Sequence, residues 1–86
     1  MSTPEKLRFE LATPLSANAM EAQCRARGVR MGWQRRAVAR SVAKMRRPFG
    51  FDDVFEEARR IAPAISRGTI YLSLRRFRAA GLLRHV

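Results

Sequence analysis

Between Ser66 and Gly81 the sequence describes one short helix with both ends marked, and the rest of the chain must supply a core for it. The Ser66 hydroxyl can accept a hydrogen bond from an unpaired amide of the first turn, and Gly81 can enter the left-handed conformation that ends a helix. Ile70, Leu74 and Phe77 recur at spacings of four and three, so they share one apolar face. Arg67, Tyr71, Arg75 and Arg78 fall on the other face. A helix anchored on one side and basic on the other is shaped to lie in a groove of DNA.

Eighty-six residues are enough for one small domain with a modest core, and too few for a catalytic domain plus a second unit. Eighteen Lys and Arg against seven Asp and Glu leave a formal net charge of +11, which favours a polyanionic partner. The charge is also segregated. No acid lies between Glu21 and Asp52, whereas Arg25, Arg27, Arg30, Arg35, Arg36, Arg40, Lys44, Arg46 and Arg47 all fall inside that gap. No apolar run approaches the roughly 20 residues of a membrane-spanning helix, and the N-terminus has no signal-peptide core, so a cytoplasmic address is expected. One Cys and one His cannot provide the four ligands of a structural zinc site.

Four helices are expected. The first runs from about Ser16 to Arg27, with Met20 and Cys24 on one face and Gly28 as terminator. A second, from Gly32 or Trp33 to Met45, buries Val38 and Val42, with Trp33 as a packing anchor at its start. On another face Arg36, Arg40 and Lys44 follow at intervals of four and form a positive ridge. Pro48, Phe49 and Gly50 break the chain before a third helix, from Asp52 or Asp53 to about Ile61. Its acids Asp52, Asp53, Glu56 and Glu57 come first and Arg59 and Arg60 last, an order that complements the helix dipole and argues against a catalytic or metal-binding role for the carboxylates. Val54, Phe55, Ala58 and Ile61 supply its apolar contacts. The third and fourth helices together read as helix-turn-helix.

Residues 1–14 form a leader, and residues 15–86 the domain proper. Within the leader Leu7, Phe9 and Leu11 alternate with charged residues, the period of a half-buried strand; a disordered tail that happens to alternate is the equal alternative. As a strand, its natural partner is Leu82 to Val86. In a winged helix the latter segment would be the first edge of the wing, and here the sequence ends before a hairpin returns.

Gly28-Val29-Arg30-Met31, Gln34-Arg35-Arg36, Val38-Ala39-Arg40, Ile65-Ser66, Thr69-Ile70-Tyr71, Leu74, Phe77 and Ala80-Gly81-Leu82 occur in the order and spacing of one known domain. Through most of residues 20 to 85 the chain resembles the N-terminal DNA-binding domain of the ferric uptake regulator family. That resemblance implies a winged helix whose fourth helix enters the major groove, with a homodimer on a palindromic operator. The family's Thr-Val-Tyr motif falls on Thr69, Ile70 and Tyr71, so the Tyr71 ring would pack on a thymine methyl; Arg30 would reach phosphate or the minor groove. Three positions depart from the pattern. Leu72 stands where an arginine often follows the tyrosine, and Gly32 where a threonine starts the second helix. Arg47, Pro48 and Phe49 occupy the neighbourhood of a family histidine, and no counterpart of the C-terminal metal-sensing and dimerisation domain is present.

The resulting expectation is a mainly α winged helix-turn-helix, four helices with a short or truncated β-wing, acting as a metal-independent bacterial transcription regulator without cofactor. Arg35, Arg36, Arg40 and Arg84 would contact phosphate, while Ser66, Arg67, Thr69, Tyr71 and Arg75 would read or position on bases of double-stranded DNA. Dimer contact would come from a self-pairing Leu7 to Leu11 strand or an exposed helix. The alternative is a protein–protein interaction module that modulates a regulator or polymerase. No set of nucleophile, base and orienting group is present, so neither catalysis nor a small-molecule substrate is expected.

Overall fold

The computed structural model of the chain describes residues 8–45 and 48–86. In order, the elements are β1 (Arg8–Leu11), α1 (Ala17–Ala26), α2 (Trp33–Lys44), β2 (Phe49–Gly50), α3 (Phe51–Ile61), α4 (Arg67–Ala79) and β3 (Leu83–His85). Leu7 and Arg47, to which the strand and the loop before α3 were assigned, lie outside the described residues.

The helices start and stop where local chemistry dictates. Ser16 Oγ accepts the Ala19 amide at 3.2 Å, and Ser66 Oγ accepts the Thr69 amide at 3.1 Å. Gly28 and Gly81, at φ +79° and +81°, turn the chain so that the next amide reaches back into the helix, Val29 N–H to Cys24 O and Leu82 N–H to Phe77 O, each at 2.9 Å. Arg27 adds a tertiary cap by donating to the last carbonyl of the α4 turn, Ala80 O, at 2.9 Å. At the start of α3 the Gly50 amide donates to Asp53 Oδ2 at 2.8 Å.

Met20 and Cys24 of α1, Val38 and Val42 of α2, Val54 and Ala58 of α3, and Ile70, Leu74 and Phe77 of α4 are buried together. Phe49 and Leu83 close this core from the sheet. Ala62 and Ile65, also buried, anchor the turn between α3 and α4, where the Ile65 amide donates to Ala62 O at 3.0 Å. The result is a mainly α winged helix-turn-helix.

Two expectations are corrected. Trp33 is not a packing anchor: it is 61 % exposed, because full burial along α2 begins only at Ala37, one turn further on. Ile61 is likewise exposed at the last position of α3.

The sheet has the order β2-β1-β3, with β1 antiparallel to both neighbours. Phe9 pairs with Phe49 on one side and His85 on the other, and Glu10 and Leu11 pair with Arg84 and Leu83. The leader strand does pair with the other end of the chain, and β3, at the edge of the sheet, is paired on the β1 side alone among the described residues. Both edges of β1 are occupied, so a dimer formed by self-pairing of β1 is closed to this fold. β2, within a stretch read only as a chain break, is the second partner.

Candidate nucleic-acid interface

Ser66 fixes where α4 begins, and burial of Ile70, Leu74 and Phe77 fixes which way it faces. The outward stripe is therefore Arg67, Tyr71, Arg75 and Arg78. Tyr71 is 54 % exposed, and the Arg75 guanidinium lies 5.8 Å from its ring centroid. Among the described residues no carboxylate pairs with Arg75, Arg76 or Arg78.

Arg67 differs. Its guanidinium lies 4.3 Å from the Phe55 ring centroid and its Nη1 is 3.3 Å from Asp52 Oδ1, so it ties the start of α4 to the start of α3. Ser66 and Thr69 are joined by their hydroxyls at 3.0 Å as well as by the cap, which turns them to holding the helix end. The motif residues Thr69, Ile70 and Tyr71 thus divide into a cap partner, a core residue and an exposed ring.

The positive ridge of α2 sits in a different environment. Glu21 of α1, only 7 % exposed, gathers Arg36 at 2.9 Å, Arg25 at 3.7 Å and Arg40 at 3.9 Å around one carboxylate. Lys44 Nζ donates to Glu57 Oε2 of α3 at 2.9 Å. That hydrogen bond holds the Glu57 carboxyl below its ordinary pKa. Every member of the ridge has a carboxylate partner.

Arg35 donates to the Arg30 carbonyl at 2.9 Å and braces the loop before α2, with Trp33 and Arg30 exposed beside it. Arg84 Nε meets Glu10 Oε2 at 2.7 Å across the β1–β3 pair. The structure therefore brings Arg67, Tyr71 and Arg75 onto one stripe, holds Arg36 and Arg40 on α1, and places Arg84 in the sheet. Arg78, on the same face by sequence but given no DNA contact there, completes the stripe eleven residues from Arg67, three helical turns.

Burial, reinforced by the nearby Glu21 charge, pushes the Cys24 thiol up to about 11, so it is a core residue and not a nucleophile at neutral pH. Among the described residues no three His, Cys, Asp or Glu side chains are placed to hold a metal ion together. No described helix is long and apolar enough to cross a membrane.

Residues 26–86 match the model of the ferric uptake regulator family. The chain belongs to the ferric uptake regulator family. It matches no curated protein and no solved structure. The family match begins at the last residue of α1, so β1, the central strand of the sheet, is supplied from outside the matched segment.

Proposed function

We propose that this chain is a transcription regulator that binds double-stranded DNA through α4, selectively by sequence and without a metal. The observation that carries the reading is the α4 stripe: Arg75 and Arg78 have no carboxylate partner among the described residues, and Tyr71 stands exposed between them and Arg67. An aromatic edge can take a thymine methyl while the flanking guanidiniums take base edges or phosphate. Arg30 and Arg35, at the entrance to α2, are the next candidates for phosphate; Arg36, Arg40 and Arg84 contribute after exchanging a carboxylate for a phosphate. A homodimer on a palindromic site would restore the affinity that a single small domain lacks, using a surface other than the edges of β1.

A second reading, a protein-interaction module, draws on Leu72. It is 52 % exposed where a family arginine is common. The unpaired charge flanking it makes DNA the better partner.

Selection of bound duplexes from random sequence, followed by fluorescence anisotropy against a scrambled duplex, tests the proposal. The expected result is a selected motif whose preference over the scrambled duplex falls by roughly 1–3 kcal/mol in Tyr71→Ala. Chelator should leave binding unchanged. Failure of any duplex to bind, or undiminished discrimination in Tyr71→Ala, overturns the reading.

A further inference from the structure

Beside the stripe, α4, the start of α3 and the sheet border a half-open groove of about 840 Å3. Sites that take small molecules span roughly 300–1,000 Å3. Its apolar surfaces come from three directions: Leu74 and Tyr71 from α4, Phe51 from the start of α3, and Phe9 from β1. Phe9 is held there by the sheet, its ring 4.9 Å from that of His85 across the strand pair. Gly68 lines the same wall.

The polar groups on the rim are unequal. Among the described residues Asp52 is the one acid lining the groove and is engaged by Arg67, while Arg75 and Arg78, one turn apart, have no carboxylate partner there. An apolar trough with aromatic sides and two guanidiniums on one wall selects a specific ligand chemistry. A flat apolar body is stabilised against Phe9, Phe51 and Tyr71, and a carboxylate satisfies the guanidinium donors bidentately. Inorganic anions would leave the trough unused, and neutral hydrocarbons would leave the guanidiniums unused.

We propose that this groove is a binding site for a small carboxylic acid with a planar apolar body. An acid seated there covers Tyr71 and Arg75, so acid and duplex exclude one another. That consequence rests on the DNA reading, whereas occupancy of the groove is measured without DNA and stands or falls separately.

The test is a titration of the full chain with 2-naphthoate, followed by amide chemical shifts. Saturable shifts concentrated at Phe9, Phe51, Gly68, Tyr71, Arg75 and His85 are expected, with 2-naphthalenemethanol, which has the same ring system and no charge, binding at least about tenfold more weakly. Replacing both cations, Arg75→Gln with Arg78→Gln, should cost the acid at least about tenfold and leave the alcohol unaffected, while Arg76→Gln, on the other flank of the helix, changes neither. Diffuse or unsaturable shifts, equal binding of acid and alcohol, or an undiminished acid affinity in the folded double variant overturns the proposal. Should the double variant fail to fold, the acid and alcohol comparison on the native chain decides alone. Concentration-dependent shifts of the same amides before acid is added assign the groove to a second copy and overturn it too.

Discussion

The ridge on α2 and the stripe on α4 both carry basic residues at nearly the same helical spacing, yet the fold treats them oppositely. Arg36, Arg40 and Lys44 each meet a carboxylate from another helix, Glu21 for the first two and Glu57 for the third. Arg75 and Arg78 meet none among the described residues, and Arg67 meets one at the point where α4 is fastened to α3. A row of cations in sequence therefore has two possible meanings. Where it is answered by acids from neighbouring elements it joins helices; where it is left unanswered its charge is available to a partner. The stretch from Glu21 to Asp52, acid-free in sequence, is not acid-free in space, because its two bounding helices fold their carboxylates back onto it.

The largest expected effect tests the joining role. Glu21→Gln removes a nearly buried carboxylate that holds Arg25, Arg36 and Arg40, so repulsion among them is no longer offset. Fully buried pairs lose about 3–5 kcal/mol when one partner is removed. The guanidiniums here are half exposed, which screens the interaction, and a loss of roughly 1–3 kcal/mol is expected. Arg75→Gln should change stability by less than about 0.5 kcal/mol. Urea unfolding of the two variants measures the difference, and equal losses would erase the distinction between the clusters.

A smaller effect concerns DNA affinity. Each phosphate neutralised by the protein adds about 0.9 to the slope of log affinity against log salt. Arg75→Gln should remove close to one such increment. Arg36→Gln should remove less than half of one, since a phosphate contacted by Arg36 competes with Glu21. Conversely, Glu21→Gln releases the ridge, and the slope should steepen. Anisotropy titrations over a salt series give all three slopes on the same duplex; equal decrements for Arg75 and Arg36 would place both arginines on phosphate.

What could be read in the sequence follows the range of the interactions involved. The four helices were legible because their signals are local: Ser16 and Ser66 lie three residues from the amides they cap, Gly28 and Gly81 lie at the turns they permit, and Ile70, Leu74 and Phe77 declare their face by spacing alone. β2 was not legible, since two residues carry no periodicity and become a strand only through pairing with Phe9 and Arg8, about forty residues away in the chain. Trp33 misleads in sequence because an aromatic residue at a helix start states a preference for burial without stating whether the core extends that far. In the candidate interface, the α4 stripe was visible and its groove was not, as Phe9 and His85 reach it only through the sheet. In sequence Glu21 is merely the boundary of the acid-free stretch, although its contacts with Arg36 and Arg40 decide what the ridge does. The family match explains why residues 26–86 could be recognised, and equally why β1 had to be argued from alternation alone.

Lys44 offers the finest test of the same comparison, because its partner reports on the contact directly. The hydrogen bond from Lys44 keeps the Glu57 carboxyl below its ordinary value of 4.5. A depressed carboxyl pKa favours the folded state above the unfolded value, and the contribution disappears as pH falls through the folded value. Lys44→Met should therefore bring the Glu57 midpoint back toward 4.5, measured from the pH dependence of its carboxyl carbon shift. The stability difference between native chain and variant should be present at neutral pH and vanish in acid. The group is solvated, so the difference is small; the shift in midpoint is the sensitive readout. A midpoint unmoved by the substitution would mean that Lys44 is not committed to Glu57, and its ammonium would then belong with Arg75 and Arg78 among the cations available to a partner.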